Sequence, residues 1–384
     1  MNAVYQMRQS IKLGVKVPLI LLLGLLIGCS NKKGDQKEES PTSYYTMSDF
    51  QSLSKVDVHV HINVEKHTII EEARANNFRM LVMAVDVVPE YPPMEEQLRV
   101  RQNLHQQNPD VFAYATAFTL EGWDEPGWSD QVIKKLAEDF DKGALGVKVW
   151  KNIGMEEKDK DGKLITLDDP KFDPVFKFIH SQNKVLLSHA GEPKNCWLPV
   201  EEMTVNNDRD YFSNHPQYHM YLHPELPAYE DHIEARNNML EKHRDITFVG
   251  VHFATLEWSV KEIGAFLDRF PNAYVDCAER LSHLQVQTQK NRTAVRDFFI
   301  KYQDRIMYGT DFQELEDTVP AELKEHMYTT WMNDWKYLVT DEVMEVGWVN
   351  GSFQGLKLPK AVIDKIYRAN AENVFPTAWD VGEK

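Results

Sequence analysis

Eight short apolar segments recur along the chain, each five to nine residues long and rich in β-branched residues. Segments of this length and composition predict buried strands. The predicted strands cover 55–61, 79–87, 111–118, 144–150, 184–189, 247–253, 273–277 and 305–311. Between them, apolar positions recur at helical spacing. The predicted helices cover 67–77, 130–140, 173–182, 229–243, 259–270 and 292–302.

Eight buried strands that alternate with helices predict an α/β fold, a (β/α)8 TIM barrel. The rival fold is a doubly wound open sheet, which carries a glycine-rich phosphate turn after its first strand. No such turn follows residues 55–61. The barrel is therefore the predicted architecture.

Residues 50–376 exceed the ~250 residues typical of such a barrel. The excess lies in three long loops, after strands 4, 5 and 8, over residues 151–172, 190–228 and 313–358. The first contains Asp161-Gly162, a typical hairpin turn. Because no internal repeat or second domain boundary is visible, we predict one domain over 49–378 and a short tail over 379–384.

The N-terminus has the anatomy of a secretory signal. Residues 1–28 carry basic residues followed by an apolar run that is too short to span a bilayer. The run ends in Leu26-Ile27-Gly28-Cys29, which resembles a bacterial lipobox, so Cys29 is the expected lipidation site. An ordinary signal peptide is the alternative. Residues 29–48 are then a polar tether. Ser30 favours a lipid anchor in the outer membrane of the bacterial cell envelope.

Composition excludes several classes of protein. The 384 residues include 43 Lys and Arg against 59 Asp and Glu, a net charge of −16. So acidic a surface repels phosphate backbones, and a nucleic-acid partner is not expected. Cys29, Cys196 and Cys277 are too few and too scattered for a disulfide framework or a cysteine zinc site.

Histidines and a carboxylate occur where the predicted strands end. Strand 1 ends in His59-Val60-His61, strand 5 in His189, strand 6 contains His252 and strand 8 ends in Asp311. A lone His-x-His pair arises readily by chance. However, barrel enzymes build their active sites at the carboxyl ends of their strands. Imidazole nitrogens and a carboxylate gathered there suit zinc or another first-row divalent ion.

Six motifs follow one another in a recognisable order. They are Asp57-Val-His59-Val-His61, Gly146-Val-Lys148-Val, Leu187-Ser-His189, Gly250-Val-His252, Tyr308-Gly-Thr-Asp311 and Asn370-Ala-Glu-Asn373. Together they resemble the metal-dependent amidohydrolase superfamily, in the branch called amidohydrolase family 2. The resemblance covers nearly all of 52–376. It implies a metal-dependent barrel that hydrolyses amides or lactones, or that decarboxylates aromatic or unsaturated acids.

The resemblance also implies roles for individual residues. His59, His61, His189 and Asp311 would hold one divalent metal ion, with zinc expected first and manganese as the alternative. Asp311 would also act as a catalytic base. His252 would be either a further ligand or a catalytic acid and base. Asp57 would support the first histidine, or is simply a residue at the start of a strand.

Lys148 has three interpretations. It contacts an anionic substrate; or it is carboxylated and bridges two metal ions, as in other members of the superfamily; or it forms a structural ion pair with a strand-end acid. Lys151, further along the chain, is expected to be solvated.

Further substrate contacts are expected around the barrel mouth. Trp150 follows strand 4, His219 lies in the loop 190–228, and Arg280 follows strand 7. Arg280 is a candidate carboxylate clamp, or it forms an ion pair with Glu279 or a neighbour. The loop itself is a candidate substrate lid, with a packed surface loop or a subunit contact as the alternatives.

Three functions follow from these observations. The first is a metal-dependent hydrolase of a small amide, lactone or ester outside the cytoplasm, which the signal sequence favours. The second is a metal-dependent non-oxidative decarboxylase of a small aromatic or unsaturated acid. The third is a surface lipoprotein that binds a ligand without turnover. The expected partners are a small-molecule substrate and the membrane, and a homodimer is one option because dimers are common in this branch.

Overall fold

The computed structural model describes residues 43–86, 88 and 90–379. The predicted signal peptide, the lipidation site Cys29 and most of the tether lie outside the described residues. Within the described part of the chain, no helix has both the length and the apolar character needed to cross a bilayer.

Nine parallel strands form one sheet. In chain order they are β1 (Lys55–Ile62), β2 (Phe78–Met83), β3 (Phe112–Ala117), β4 (Gly146–Val149), β5 (Val185–Ser188), β6 (Phe248–Gly250), β7 (Ala273–Asp276), β8 (Ile306–Met307) and β9 (Phe312–Glu314). Neighbours pair in the order β8-β7-β6-β5-β4-β3-β2-β1-β9. A separate antiparallel pair consists of β10 (Val343–Met344) and β11 (Phe353–Gln354).

The sheet closes through its eighth segment. β8 pairs with β7, and β9, four residues after β8, pairs with β1. Between them the Val58 N–H donates to the Tyr308 carbonyl over 3.0 Å. β8 and β9 are therefore two parts of one strand that joins both edges of the sheet. The TIM-barrel prediction is confirmed, and each of the eight predicted strands overlaps an observed one.

Helices surround the strands. They are α1 (Thr68–Ala75), α2 (Met94–Gln107), α3 (Trp128–Asp141), α4 (Asp173–Ser181), α5 (Asn206–Asn214), α6 (Tyr229–Lys242), α7 (Val260–Arg269), α8 (Leu281–Lys301), α9 (Pro320–Val339), α10 (Lys360–Asp364) and α11 (Asn370–Val374). A π-helical turn, Lys365–Ala369, joins the last two. All six predicted helices are present, and α8 begins earlier than predicted.

Two of the three long loops contain a helix of nine residues or more. The third, after strand 4, contains only short helical turns, Asn152–Met155 and Pro170–Phe172. The segment after strand 8 includes α9, a helix of 20 residues, so the prediction that this segment is a loop was wrong. The segment after strand 5 includes α5. After strand 4, the Asp159 N–H donates to the Lys163 carbonyl and Gly162 has a φ of +78°, which confirms the predicted turn.

The lower half of the barrel is filled with apolar side chains. Val58, Leu81, Ala113 and Leu187 belong to one buried cluster inside the sheet. Residues after α11 close this end, and the Trp379 indole donates to the Met80 carbonyl over 3.2 Å. Trp379, assigned above to the tail, is thus part of the packed domain.

Candidate functional site

A β-bulge directs two histidines into the barrel mouth. The pairing of β1 with β2 shifts register after Asp57. Below the shift, Val56 and Val58 belong to the apolar cluster inside the barrel. An inserted residue reverses the alternation of a strand. His59 and His61 consequently face the interior at the next level, towards Asp311.

His252 is oriented by an unusual turn after β6. The four residues His252 to Thr255 all have positive φ, between 55° and 58°. Left-handed backbone costs about 1–2 kcal/mol per residue with a side chain, so it persists only where its surroundings determine it. A Cβ on Gly250 would lie 2.4 Å from the Ala254 Cβ, so the turn requires glycine there.

Asp311 also has left-handed backbone, with a φ of +69°. Its N–H donates to the His59 carbonyl over 2.8 Å, which fixes it against β1. The close approach depends on Gly309, because a Cβ at that position would lie 3.0 Å from the His59 Cβ. The eighth strand thus brings its carboxylate directly to the histidines of the first.

The Asp311 carboxylate is the centre of the cluster. Its Oδ1 lies 3.3 Å from His59 Nε2 and 3.1 Å from His61 Nε2. Its Oδ2 lies 3.7 Å from His252 Nε2. Within the described residues, His59, His252 and Asp311 form a group whose donor atoms all lie within 4.8 Å of one another.

His189 lies beside this group rather than in it. Its ring meets that of His252 edge-on, with 4.5 Å between the centroids. Its Nε2 lies 3.9 Å from a Glu192 carboxylate oxygen. The structure therefore brings all four predicted ligands to the barrel mouth. It also places His252 close enough to Asp311 to be a further ligand, one of the two roles that the resemblance implied.

Hydrogen bonds fix the tautomers of three histidines. The Nδ1 atoms of His59, His61 and His252 each face an oxygen that only accepts. These oxygens are Asp276 Oδ2 at 3.1 Å, the Met83 carbonyl at 3.1 Å and the Ala278 carbonyl at 2.8 Å. Each Nδ1 therefore carries the proton, and each Nε2 presents a lone pair to Asp311.

These donor atoms fit a divalent metal ion. Asp311 Oδ1 is buried with no hydrogen-bond donor, although two imidazole lone pairs face it. Acceptors at 3.1–3.3 Å repel one another unless a cation lies between them. Ligands about 2.0–2.2 Å from one ion are separated by such distances. Imidazole nitrogen with carboxylate oxygen suits zinc or manganese.

The protonation states suit metal binding as well. Burial lowers the pKa of His61 to about 4 and the pKa of His252 well below its usual range. Burial alone would raise the pKa of Asp311, but positive charge at the facing histidines holds it well below its usual range, and a metal cation between neutral imidazoles and the carboxylate would act in the same direction. Neutral imidazoles and an ionised carboxylate are the forms that coordinate metals.

Two buried aspartates support the cluster. Asp276 accepts from His59 Nδ1 and, through its other oxygen, from the His252 N–H over 2.7 Å. Asp57 accepts from the His59 N–H and from Thr310. Asp57 thus acts on the backbone, and Asp276 holds the imidazole ring. Sequence reasoning missed Asp276, although it lies next to the end of the predicted strand 273–277 and ends the observed one.

Lys148 lies on the interior face of β4. Its ammonium Nζ is 3.4 Å from His59 Nε2, and it forms no ion pair with any described carboxylate. Burial lowers its pKa to about 8. The interpretation of Lys148 as a structural ion pair thus has no partner within 4.0 Å. A substrate contact and a metal bridge both remain consistent with this position.

The other predicted substrate contacts divide into two groups. Trp150 and Arg280 line the cavity, and Arg280 also pairs with Glu279 over 3.1 Å. His219 does not line it. The His219 Nε2 instead bonds to the Leu198 carbonyl over 2.8 Å inside the loop, so its predicted role as a substrate contact is not supported.

Sequence reasoning overlooked a second ion pair at the site. Lys151 was expected to be solvated, but its side chain is buried and its ammonium group bonds to Glu192. The Lys151 ammonium also lies 5.0 Å from the Trp150 ring. Glu192 comes from the loop after strand 5, 41 residues from Lys151 in sequence, so the sequence alone did not reveal that the two side chains pair.

The site opens into a cavity of about 450 Å³. His59, Lys148 and Asp311 lie among its lining residues, and the loop 190–228 forms one wall. That loop contributes Glu192, Pro193, Asn207, Asp208, Tyr211, Phe212, His215 and Tyr218. A cavity of this size fits a small molecule. The loop therefore lines the cavity, as the lid interpretation predicts.

Comparison with known proteins shows the family to which the chain is similar. An amidohydrolase family model matches residues 42–377. A 2,6-dihydroxybenzoate decarboxylase from Rhizobium is similar in structure, with 14% identity, 84% of this chain and 98% of that chain covered, and a TM-score of 0.50.

Two further solved structures are similar at a lower level. An uncharacterized TIM-barrel protein from Bordetella bronchiseptica has 15% identity over 85% of this chain and 99% of that chain, with a TM-score of 0.49. A probable 2-pyrone-4,6-dicarboxylic acid hydrolase from Acinetobacter baumannii has 12% identity over 84% and 100%, with a TM-score of 0.45. No curated protein matches in sequence. At these identities the structural likeness concerns the fold.

Proposed function

The chain belongs to the amidohydrolase family, and from this premise we propose that it is a metal-dependent hydrolase of a small amide, lactone or ester. One observation carries the proposal. Three imidazole Nε2 lone pairs face the Asp311 carboxylate at the floor of a cavity large enough for a small molecule.

In the proposed hydrolysis, some residues of the site bind the metal ion and others transfer protons. A bound divalent ion lowers the pKa of water and polarises a carbonyl group. His59, His61 and Asp311 would hold that ion, with His189 or His252 as a further ligand. Asp311 Oδ2 takes a proton from the attacking water. The His252 Nε2, 3.7 Å away, accepts that proton from Asp311 and gives it to the leaving group, so His252 acts in this way when His189 is the further ligand.

Two cations, Lys148 and Arg280, line the cavity and are candidates to orient the substrate. Lys148 Nζ lies beside His59 without an acidic partner, so it can bind a carboxylate or a carbonyl oxygen next to the reacting atoms. Arg280 lies on the cavity wall but already pairs with Glu279. Lys148 is therefore the stronger candidate for an anionic group of the substrate.

The same lysine supports a second candidate, a non-oxidative decarboxylase. A buried ammonium group 3.4 Å from a candidate ligand would fix a substrate carboxylate at the metal. In that reaction the electron pair of the broken carbon–carboxylate bond would take up a proton, which His252 Nε2 would first accept from water in the cavity and then give to the carbon that loses CO₂. A panel of esters, lactones and amides followed by pH-stat, and a panel of aromatic acids followed by CO₂ release, separates the two reactions.

The first experiment is metal content per chain by mass spectrometry, for the wild type and Lys148→Ala. One equivalent in both proteins supports a single-metal site and leaves Lys148 for the substrate. Two equivalents that fall in the variant indicate a bridging lysine. His180→Ala, at an exposed histidine on α4, is the matched control. No metal in any protein after reconstitution contradicts the proposal and favours a binding protein without turnover.

We further propose that the enzyme is lipid-anchored in the bacterial cell envelope through Cys29, and that its substrate lies outside the cytoplasm. The lipobox-like sequence before Cys29 supports this. Labelling with radioactive palmitate in a bacterial host should modify the wild type and leave Cys29→Ser unlabelled. An unlabelled wild type in the soluble fraction would contradict the anchor.

A further inference from the structure

A second cavity lies behind Asp311. This cavity, which we call the rear chamber, has a volume of about 150 Å³ and lies between the eighth strand, α8 and α9. Asn207, Glu279 and Asp311 line both the rear chamber and the main cavity. Any group in the rear chamber is therefore adjacent to the carboxylate at the centre of the candidate metal site.

Buried polar atoms without partners line the rear chamber. The Ser282 hydroxyl, the Gln285 amide oxygen and the Thr330 hydroxyl each lack a hydrogen bond. Ser282 and Gln285 are only 6% and 1% exposed. A buried amide or hydroxyl that lacks a hydrogen bond destabilises the fold by roughly 1–3 kcal/mol. Such groups are normally satisfied by protein, water or a ligand.

The polar residues follow the helical period on both walls. Ser282 and Gln285 are three apart on α8, and His326, Thr330 and Asp334 are spaced by four on α9. Residues three or four apart share a helix face. A helix face turned towards a core is ordinarily apolar. Two facing polar stripes therefore form a site that packing alone does not explain.

The charges of the residues that line the rear chamber indicate which chemical group it can bind. Of the described residues that line it, none is Lys or Arg, whereas Glu279, Asp311 and Asp334 are acids. The main cavity, by contrast, contains Lys148 and Arg280. The rear chamber offers hydrogen-bond acceptors and no cation that could balance an anion, so it suits a hydroxyl or an ammonium group.

From this arrangement we infer that the rear chamber binds the amine or alcohol part of the substrate, the group that hydrolysis releases. The inference rests on the proposed hydrolase function. The acyl part, with any anionic group, then occupies the main cavity near Lys148, and the scissile bond lies beside Asp311. A cavity of about 150 Å³ can hold benzene, so the released group has about six non-hydrogen atoms.

Direct binding to purified protein tests the inference without turnover. The probes are cyclopentylamine and cyclopentanol, which fit the volume, with cyclopentanecarboxylate as the anionic comparison. We expect the amine and the alcohol to bind with dissociation constants of about 1–10 mM, measured by ligand-observed NMR. Gln285→Leu should weaken both about tenfold, because it removes the amide acceptor. Ser282→Ala is the second variant, should Gln285→Leu fail to fold.

Two controls separate the cavities. Gln289→Leu, at an exposed glutamine on the same helix, should leave binding unchanged. Lys148→Ala should weaken the carboxylate and spare the amine. Absence of amine and alcohol binding at 10 mM (about the upper end of that range), equal binding by the Gln285→Leu variant, or displacement of the amine by the carboxylate would overturn the inference. If the amine binds as expected but no ester or amide is cleaved, the hydrolase proposal fails and the site stands.

Discussion

The two ends of this barrel have opposite chemistry, although the same strands form both. At the base, Val58 and Leu187 pack in the interior with other apolar side chains. One or two residues further along the same strands, His59 and His189 face the cavity. In barrel enzymes the base supplies stability and the mouth supplies chemistry.

Backbone conformation follows the same division. His252, Glu279 and Asp311 all have positive φ, and all three line the main cavity. At the base, positive φ occurs just before β2 and β5, but there it belongs to Asn77 and Asn183, and asparagine adopts this conformation more readily than other residues with a side chain. Strained backbone persists where the surrounding fold determines it, often at functional sites. The base thus holds the mouth in a conformation that it would not adopt alone, and four changes test this division.

The largest effect is expected for Asp311→Asn at the mouth. The amide loses the charge that joins the three imidazoles, so hydrolysis should fall by about 10²–10⁴-fold. The melting temperature should remain within a few degrees of the wild type, because no apolar contact is lost. Turnover and thermal unfolding measure the two effects, with exposed Asp317→Asn as the control. Normal activity would show that the assigned site is wrong.

The opposite result is expected for Leu187→Ala at the base. This side chain is fully buried in the interior cluster, so its truncation should lower the free energy of unfolding by about 2–5 kcal/mol. The folded variant should keep its metal content and its turnover number. Urea unfolding and metal analysis test this, with exposed Leu222→Ala as the control. Loss of metal at unchanged stability would contradict the division between base and mouth.

A smaller effect is expected for Asp276→Asn, which lies beneath the candidate ligands. Its carboxylate orients the His59 ring and the His252 backbone without facing the substrate. Loss of such a supporting group typically lowers metal affinity 10- to 100-fold. Competition with a chelator measures the affinity, and excess metal should restore turnover. Turnover that stays lost at saturating metal would instead give Asp276 a direct part in the chemistry.

The smallest effect concerns pH and Asp334, on α9 beside the rear chamber. Burial raises the pKa of Asp334 to about 7 although Tyr308 donates to it. The native state therefore holds this proton when the unfolded state has lost it, and stability falls as pH rises from about 4 to about 7. Asp334→Asn removes that loss, because an amide does not ionise.

At pH 8 the Asp334→Asn variant should be more stable than the wild type by about 1–2 kcal/mol, and at pH 4 the two should be equal. The full shift would give more, but Asp334 borders a cavity that is large enough to admit water, which lowers the cost of the charge. Urea unfolding of metal-free protein across this range measures the difference. A constant difference at all pH values would mean that the carboxyl does not titrate in this window.

Much of this molecule could be read from its sequence. The short apolar segments located all eight strands, because buried parallel strands need continuous apolar residues. The polar residues at their ends located His59, His61, Lys148 and Asp311, because apolar strands do not otherwise require them. α2 and α9 were not predicted. In α9, aromatic and polar residues occur on several faces, so the apolar positions do not form a single stripe at helical spacing.

Contacts between distant segments decided the rest. Simple alternation along β1 places Asp57 on the face of His59, but the bulge reverses the strand there. Asp276, Lys151 and Glu192 joined the site only when strands far apart in sequence became neighbours. The sequence determined the fold and the reactive residues because burial patterns are local. The tertiary structure decided which of those residues meet, because register, bulges and loop packing depend on the whole barrel.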